Sequence, residues 1–515
     1  MFPIINEELK KLQNGSDIRG VAMEGIEGEK VNLTPQIAEK IAYSFCIWLS
    51  ERSGKALKDL KVSVGNDSRL TGKQLKDAAI KGMTSLGCKV FDCGLASTPA
   101  MFMSTVMPGY EYDGAIMLTA SHLPFNRNGL KFFTKNGGLE KQDIVALLEI
   151  VDSGKSAFSE GYGNIEQVDL ISAYAENLID IIRKGADDPE DFMKPLKGLK
   201  IIVDAGNGAG GFFAGKVLEP LGADTSGSQF LEPDGAFPNH IPNPEDKEAI
   251  DSIRKAVIDN NADLGIIFDT DVDRAGAVDK KGKEVNRNRI IALIASIVLE
   301  EHPGTTIVTD SITSDELKAF IEAKLGGIHH RFKRGYKNVI NEAIRLNNEG
   351  RESYLAIETS GHGALKENYF LDDGAYLIAK ILIKTARLKR EGKTIDLLLN
   401  ELEEPAEAKE FRLNIHEKDF KAYGNKIISE LEEYARNQSG WQVVPENYEG
   451  IRVSLDKNNG DGWFLLRLSL HDPLMPLNIE SRLKGGITVI APKVYDFLKR
   501  YTLLDLQALE NFFRI

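Results

Sequence analysis

The stretch "LKIIVDAGNG", residues 199–208, decides the fold because a short apolar, β-branched run ends in a small and acidic loop. A helix-like stretch follows, and a Leu-Gly step at Leu221 then leads into a second predicted strand. The same order recurs at "KVSVGND" from Lys61 and at "TTIVTDS" from Thr305. Apolar strands that alternate with helical segments indicate βαβ units and mixed or parallel sheets. The chain is therefore predicted to contain three related α/β domains, although the similarity of the segments is also compatible with the general pattern of α/β proteins.

The sequence pattern changes after about Glu404, where "EEPAEAKEF" is a charged linker that contains proline. Beyond it, "FLLRLSLHDPLMPLNIE" alternates apolar and polar residues around a Pro-marked turn. We interpret this part as a fourth, smaller α+β domain. The predicted domains span residues 1–165, 166–286, 287–403 and 404–515.

Composition narrows the class of protein. The chain has 515 residues, 42% hydrophobic and 27% charged, with a net charge of -13. A general nucleic-acid binder would carry a basic face, so no nucleic-acid partner is expected. Apolar runs are too short to span a membrane, and no signal or transit peptide is evident. Three cysteines without CxxC spacing indicate a reducing compartment, and a cytoplasmic location is expected.

A serine and a histidine stand side by side in "TASHLPFNRNGLKFF", residues 119–133. The preceding "GAIMLTA" is typical of a buried strand, and Pro, Asn and Gly then break regular structure. Ser121 and His122 are therefore expected on an ordered loop, with Lys131 ten residues beyond the serine. Taken alone, a Ser-His pair is also typical of a Ser/Thr turn that is capped by its own backbone.

Three carboxylates follow a buried strand in "LGIIFDTDVDRAGAV", residues 264–278. Asp269, Asp271 and Asp273 occupy alternate positions, and in an extended chain alternate side chains point the same way. Like charges this close repel unless a cation holds them, and Mg²⁺ suits carboxylate and phosphate oxygens. The sequence thus predicts a divalent metal site, with Arg274 directly after it.

Other interpretations of the acidic run are a calcium loop, an aspartyl-phosphate phosphatase and a solvated acidic loop. An EF-hand would need glycine where Arg274 stands and glutamate where Lys280 stands, which excludes it. In the phosphatase, Asp269 would attack phosphorus, but a third carboxylate suits a metal cage better than a nucleophile.

Further polar loops are candidates for substrate binding. In "ETSGHGALKENYFLDDG", Glu358 and Ser360 alternate and could contact neighbouring sugar hydroxyls, whereas His362 alone is more typical of a structural residue. Basic groups gather in "RFKRGYKN", and Arg467 and Ser469 are expected at alternate strand positions, where they could bind a phosphate.

In order, "GSDIRG", "VGNDSR", "STPA", "TASHLPFNRNGLKF", "DTDVDR", "KRGYKN", "ETSGH" and "RLSLHDP" resemble motifs of the α-D-phosphohexomutases, the phosphoglucomutase/phosphomannomutase family. The resemblance runs from about Gly15 to about Glu480. It implies four domains around a central cleft, each contributing one loop: a phosphoserine loop, a metal-binding loop, a sugar-binding loop and a phosphate-binding loop. It also implies reversible phosphoryl transfer between the 1- and 6-positions of a hexose phosphate, through a phosphoserine and a hexose 1,6-bisphosphate.

The resemblance implies roles for individual residues. Ser121 would carry the phosphoryl group and join the three aspartates in binding Mg²⁺. Arg19, His122 and Lys131 would manage protons and charge near that group. The remaining positions that match substrate contacts of the family are Arg274, Lys333, Gly335, Tyr336, Glu358, Ser360, His362, Arg467, Ser469 and His471.

The sequence departs from the family pattern mainly in the phosphate loop, where Leu470 and His471 replace a glycine and a threonine and an arginine expected near Pro476 is missing. The preferred hexose therefore stays open between glucose, mannose and others, including glucosamine phosphates. A Mg²⁺-dependent phosphatase and a catalytically silent sugar-phosphate binder are the alternatives from other classes. The oligomeric state is not indicated.

Overall fold

A computed structural model describes residues 5–155, 161–469 and 472–513 of the chain. The fold comprises two compact units. The first contains Met1–Ile297 and Ser360–Leu398, and the second contains Val298–Thr359 and Leu399–Ile515.

The first domain is built on a mixed sheet whose strands lie in the order β1-β2-β6-β5-β3-β4-β8. Its strands are β1 Gln13–Asn14, β2 Asp17–Val21, β3 Lys61–Asn66, β4 Lys89–Leu95, β5 Gly114–Leu118, β6 Arg127–Thr134, β7 Gly137–Gly138 and β8 Ile165–Gln167. Its helices are α1 Glu7–Lys10, α2 Pro35–Ser53, α3 Gly72–Thr84, α4 Thr98–Met103 and α5 Lys141–Ser153. Strand β3 pairs in parallel with β4 and β5, whereas β5 and β6 are antiparallel. The carboxyl ends of β3 and β5 therefore lie at the same edge of the sheet.

The second domain contains a four-stranded sheet in the order β12-β11-β10-β9. Its strands are β9 Ile201–Asp204, β10 Leu264–Phe268, β11 Ala275–Asp279 and β12 Glu284–Val285, and its helices are α6 Leu170–Ala186 and α7 Lys247–Asp259. Every residue of β10 is buried, as expected for a strand covered on both faces. The strand predicted after Leu221 is wrong, because this segment forms only the isolated bridges Lys200↔Asp224 and Asp204↔Gln229.

The third predicted domain carries a parallel core of three strands in the second unit. Strand β13 pairs in parallel with both β14 and β15. The elements are α8 Asn288–Glu301, β13 Thr306–Thr309, α9 Asp315–Ala319, β14 Ile328–Arg331, α10 Tyr336–Asn348 and β15 Ser353–Ile357. The first unit holds the antiparallel pair β16 Gly363–Leu365 and β17 Leu371–Asp372, followed by α11 Gly374–Arg390.

The last domain is an antiparallel sheet in the order β18-β22-β21-β20-β19. Its elements are β18 Glu407–Asn414, α12 Phe420–Arg436, β19 Trp441–Val443, β20 Ile451–Leu455, β21 Gly462–Leu466, β22 Leu474–Ser481, α13 Gly486–Leu498 and α14 Gln507–Phe513. Apolar side chains of α12 and α13 share one core with the strands. The predicted fold class, three α/β domains with mixed sheets and a smaller C-terminal α+β domain, is confirmed.

Two further observations concern the whole chain. Each helix in the described segments is too short or too polar to cross a lipid bilayer. Cys46, Cys88 and Cys93 are buried thiols outside any disulfide.

Candidate active site

Ser121 lies on a tight loop directly after β5. We call residues 119–127 the serine loop. Its backbone at Ser121 has φ +52°, in the left-handed region that residues other than glycine seldom adopt, and the Ser121 N–H donates to Thr119 Oγ1 at 2.9 Å. The side chain is buried, and its Oγ donates to Asp269 Oδ2 at 3.0 Å. The predicted ordered loop is therefore found, and it brings the serine to the acidic run of the second domain.

Asp269, Asp271 and Asp273, called here the acidic cage, lie on the loop between β10 and β11. One carboxylate oxygen from each lies within 4.8 Å of the others. The predicted convergence is found, but the extended chain expected to produce it is not. The segment is a turn in which the Val272 N–H donates to Asp269 O at 3.3 Å and Val272 has φ +68°. The turn, rather than strand alternation, gathers the carboxylates.

Three neighbouring segments hold the backbone of this turn. Ala209 N donates to Thr270 O at 2.8 Å, Gly374 N to Val272 O at 3.1 Å, and Thr98 N to Asp271 O at 2.9 Å. A Cβ atom at Gly374 would lie 2.6 Å from the carbonyl carbon of Arg274, so glycine is required for this approach. The position of the acidic cage is thus fixed by main-chain contacts as well as by its own residues.

Two buried cations contact the acidic cage. Arg274 Nε donates to Asp269 Oδ2 at 3.0 Å, and its Nη2 lies 3.3 Å from Ser121 Oγ. Lys131 Nζ donates to Asp271 Oδ2 at 3.1 Å and also to Asp273 Oδ2. Lys131 therefore lies at the predicted metal ligands.

The three carboxylates do not share one electrostatic environment. Burial, together with the negative charge of Asp273, raises the pKa of Asp269. Burial acts in the same direction on Asp273, but Lys131, His362 and Arg274 outweigh it and lower the pKa of Asp273. The protein's own cations therefore keep part of the acidic cage ionised.

The residues of the acidic cage fit a hard divalent cation. Within the described part of the chain, the buried atoms Asp271 Oδ1 and Asp273 Oδ1 have no hydrogen-bond partner. Buried carboxylate oxygens without a partner are costly, and a cation with several open coordination positions would satisfy both. The donors are all oxygen atoms, which is the ligand type that Mg²⁺ prefers.

Two histidines flank this region and differ in charge. His122 Nδ1 lies 3.3 Å from Ser121 Oγ, and burial together with Arg274 and Arg19 lowers the pKa of His122 to about 2. Burial also acts to lower the pKa of His362, but Asp372 and Asp273 outweigh it and raise that pKa to about 9. His122 is thus a neutral ring beside the serine, whereas His362, which hydrogen-bonds Asp372, is cationic near neutral pH.

Arg19 reaches this region from β2, where it pairs with Gly129 of the neighbouring strand β6. Its Nη2 donates to Asp17 Oδ2 at 3.0 Å. Ser360 is the remaining candidate residue of the first unit. It is buried and precedes His362 by two positions.

The second unit carries the basic "KRGYKN" loop and the acidic residue of the sugar loop. Gly335, at φ +116°, precedes helix α10, which begins at Tyr336. Its N–H donates to Glu358 Oε1 at 2.6 Å, and Glu358 is buried after β15. Lys333 Nζ lies 5.9 Å from the centre of the Phe332 ring. The structure therefore brings Gly335 and Glu358 together.

Arg467 and Ser469 lie beyond the end of β21 rather than within a strand. Their N–H groups nevertheless donate to Pro476 O at 3.1 Å and to Leu474 O at 3.0 Å, so the antiparallel pairing continues irregularly. Arg467 is buried, and its Nη1 lies 3.7 Å from Glu449 Oε1. The predicted strand position is wrong, since β21 ends at Leu466. The predicted substrate contact at His471 lies outside the described residues.

Several residues at these loops were absent from the predicted set. Thr98 Oγ1 donates to Asp271 Oδ2 at 2.5 Å, and Asn243 Oδ1 accepts from Arg274 Nη1 at 3.1 Å. Glu449 Oε2 accepts from Ser311 Oγ at 2.5 Å and from Arg334 N at 3.1 Å. The "STPA" motif was a signal for Thr98, whereas Asn243 and Glu449 stand in stretches without a catalytic pattern.

Comparison with family models gives three consecutive matches. They are the phosphoglucomutase/phosphomannomutase α/β/α domain I at residues 10–157, domain II at residues 182–282 and domain III at residues 286–405. Together these matches cover more than half of the chain. The boundaries between the four predicted domains stay predictions.

Individual relatives match over nearly the whole chain. The phosphomannomutase/phosphoglucomutase of Pseudomonas syringae pv. tomato is 31% identical over 94% of this chain and 94% of its own length. The phosphoglucomutase/phosphomannomutase of Thermococcus kodakarensis is 32% identical over 92% of this chain and 95% of its own. The crystal structure of a phosphoglucomutase/phosphomannomutase family protein from Burkholderia thailandensis superimposes with a TM-score of 0.78, at 28% identity, over 96% of this chain and 98% of that one.

Proposed function

The chain belongs to the phosphoglucomutase/phosphomannomutase family, and we propose that it interconverts the 1- and 6-phosphates of a hexose through a phosphate carried on Ser121. The resemblance inferred from the motifs is thereby confirmed, and the enzyme is an isomerase that acts on hexose phosphates. The observation that carries the proposal is the 3.0 Å contact between Ser121 Oγ and Asp269 Oδ2, because it joins the serine to the acidic cage.

Each half-reaction moves one phosphoryl group. The bond between phosphorus and Ser121 Oγ breaks, and a bond between phosphorus and a sugar hydroxyl oxygen forms. The hydroxyl loses its proton, and the serine oxygen, which leaves with the bonding electrons, gains one. His122 Nδ1 lies 3.3 Å from the serine oxygen. The negative charge of a phosphate on Ser121 would favour the protonated ring, which would then be placed to exchange a proton with that oxygen. The hexose 1,6-bisphosphate then reverses its orientation, and its other phosphate returns to Ser121.

Electrostatics supplies most of the catalysis of such a transfer, since it depends on positioning and charge stabilisation. Arg274 Nη2, 3.3 Å from Ser121 Oγ, is placed to stabilise charge on the transferred group. Lys131 and Arg19 add positive charge in the same domain. Asp269, Asp271 and Asp273, with the serine phosphate, would hold Mg²⁺. When bound, that ion would withdraw charge from the phosphoryl oxygens.

Substrate recognition is assigned to the sugar-binding and phosphate-binding loops. Glu358 and Ser360 would contact sugar hydroxyls, with His362 as a charged neighbour. Arg467 and Ser469 would bind the phosphate that is not reacting, because a guanidinium fork matches phosphate oxygens. Lys333, Gly335, Tyr336 and His471 complete the proposed substrate contacts.

Glucose and mannose phosphates are the proposed substrates, because relatives of similar identity carry both names. Hexose 1,6-bisphosphate is the proposed activator as well as the intermediate. Coupled assays that compare glucose 1-phosphate with mannose 1-phosphate, each with and without bisphosphate, would rank the two. Turnover that is absent under every condition would instead indicate a catalytically silent sugar-phosphate binder.

The serine carrier is tested by intact-protein mass spectrometry after incubation with glucose 1,6-bisphosphate and Mg²⁺. Wild type should gain one phosphate, Ser121→Ala should gain none, and the exposed control Ser226→Ala should behave as wild type. The phosphate should survive hydroxylamine, which cleaves an acyl phosphate. A hydroxylamine-sensitive phosphate that persists in Ser121→Ala and disappears in Asp269→Asn would overturn the proposal in favour of an aspartyl-phosphate phosphatase.

A further inference from the structure

Arg69, from the "VGNDSR" motif, lies in the loop that follows β3. Strand β3 is parallel to β5, and the serine loop follows β5, so the two loops leave the same edge of the sheet. The Arg69 side chain is fully buried. A buried arginine is costly unless its donors are satisfied, and its partners therefore show what it does.

The guanidinium of Arg69 donates to four carbonyl oxygens, all of which belong to the serine loop. Its Nη1 contacts Pro124 O at 2.8 Å and Arg127 O at 2.9 Å. Its Nη2 contacts Leu123 O at 2.5 Å and also Ser121 O. The hydrogen bonds extend from the serine itself to the first residue of β6, so one side chain ties the loop together.

The guanidinium is itself held in place. Asp67 Oδ1 accepts from Arg69 N at 2.9 Å, and Asp67 Oδ2 lies 3.5 Å from Arg69 Nε. The Asp67 N–H donates to Leu118 O, the last residue of β5, at 3.1 Å. On another side, the guanidinium carbon lies 5.4 Å from the centre of the Phe237 ring. Asp67 and Arg69 thus connect the end of β3 to the serine loop as one unit.

The serine needs such support because its own backbone is strained. A non-glycine residue with φ near +52° lies in a sparsely populated region, and such conformations persist only where surrounding contacts hold them. Fixing the Ser121 carbonyl limits rotation of the chain that directs Oγ toward Asp269.

We propose that Arg69 is a positioning residue for phosphoryl transfer, which holds the serine loop in its left-handed turn so that Ser121 Oγ stays at the acidic cage. The proposal rests on the proposed function of Ser121 as phosphoryl carrier. Arg69 contacts carbonyl oxygens through both Nη atoms, and a lysine ammonium is a single point that cannot reach all four. Arg69 therefore acts through geometry, and its charge alone is not sufficient.

The test measures the single-turnover rate at which glucose 1,6-bisphosphate phosphorylates Ser121 in the full-length Mg²⁺-loaded enzyme, by quenched intact-protein mass spectrometry. Arg69→Lys should slow this step and kcat by about 10- to 100-fold, since a small misplacement of reacting groups costs that much. KM should stay within about threefold, because the described hydrogen bonds of the Arg69 guanidinium go to the serine loop and not to the proposed sugar or phosphate loops. Hydrogen exchange of residues 119–127 should become faster.

Arg390→Lys is the matched control, because Arg390 also donates to a backbone carbonyl, Ala186 O at 3.0 Å, away from the serine loop. It should leave the phosphorylation rate and the exchange of residues 119–127 unchanged. Asp67→Asn is a milder second variant, which loosens Arg69 without removing it, and should slow phosphorylation by about 3- to 10-fold. It decides the question if Arg69→Lys does not fold.

A folded Arg69→Lys, or Asp67→Asn where Arg69→Lys does not fold, that phosphorylates Ser121 at the wild-type rate overturns the proposal. A variant that raises KM and leaves the phosphorylation rate unchanged overturns it as well. Failure of the proposed function gives a different result, since wild type itself would then gain no phosphate on Ser121.

Discussion

The Lys131 ammonium lies 3.1 Å from Asp271 Oδ2, on the carboxylates that are proposed to bind Mg²⁺. The lysine and the metal ion are both cations, so they repel each other while they share ligands. We expect Lys131→Met to bind Mg²⁺ more tightly, by about 10-fold or more, and to lower kcat by about 100-fold because charge stabilisation is lost. Calorimetric titration of the unphosphorylated enzyme measures the first effect and coupled assays the second.

Lys73→Met serves as the control, since Lys73 is exposed and pairs only with Asp77 in the contacts described. It should change neither quantity. Weaker Mg²⁺ binding in Lys131→Met would show that the lysine organises the acidic cage rather than competing for it.

The acidic cage should make turnover depend on a divalent ion. Chelation should abolish activity, and added Mg²⁺ should restore it. Asp271→Asn should weaken Mg²⁺ binding by about 10-fold or more, because it replaces a charged ligand by a neutral one. The exposed control Asp251→Asn should bind as wild type, and full activity in excess chelator would contradict the metal assignment.

Arg467→Ala should impair substrate binding. A charge-assisted contact to phosphate contributes roughly 1.5–3 kcal/mol, so kcat/KM should fall by about 10- to 100-fold, mainly through KM. Steady-state kinetics on glucose 1-phosphate measures this fall in kcat/KM. The control is Arg412→Ala, because Arg412 is an exposed residue of β18. A change within about twofold would place the phosphate contact elsewhere.

His240 and Asp204 should make stability depend on pH. His240 Nε2 lies 3.0 Å from both carboxylate oxygens of Asp204. Burial alone would lower the pKa of His240, but hydrogen bonding and the charge of Asp204 outweigh burial and raise this pKa. A raised pKa means that the pair stabilises the fold fully below the unfolded value of about 6.5. This contribution is lost as the pH rises through the folded pKa.

The urea midpoint of unfolding, measured from pH 6 to pH 9, checks this. The difference between wild type and His240→Asn should be largest near pH 6 and should shrink toward pH 9. The exposed His416→Asn should show a difference that does not vary with pH. A His240→Asn difference that grows with pH would mean that the neutral ring is the stabilising form.

The strands were predictable where burial imposes a pattern. The apolar run before Asp269 became β10, and the run at Lys61 became β3, because residues covered on both faces must be apolar. The segment after Leu221, "GADTSG", keeps the Leu-Gly step of the other two segments but has few apolar residues, and it forms only isolated bridges. Composition indicates which segments can be strands, and pairing with neighbours decides which of them are.

The site was predictable as a set of residue types and less so as geometry. The carboxylates of the acidic run do converge, but through a turn at Val272, and a β-branched residue gives no sequence signal for a left-handed backbone. Arg69 lies 52 to 58 positions before the carbonyls that it contacts. Any residue type can supply a backbone carbonyl acceptor, so such contacts cannot be read from the sequence until the loops are placed in space.

The expectation of a cytoplasmic location stays a prediction.

Val272 has a consequence for how this protein can change over evolutionary time. A buried valine at φ +68° costs the native state on the order of 1–3 kcal/mol of backbone strain, which glycine would relieve only by giving up the buried side chain. Glycine would also release the chain to leave the turn that gathers the three carboxylates. Relief of backbone strain and retention of the turn therefore place opposite demands on this position, so an uncharged, fully buried side chain helps to determine the chemistry of the site.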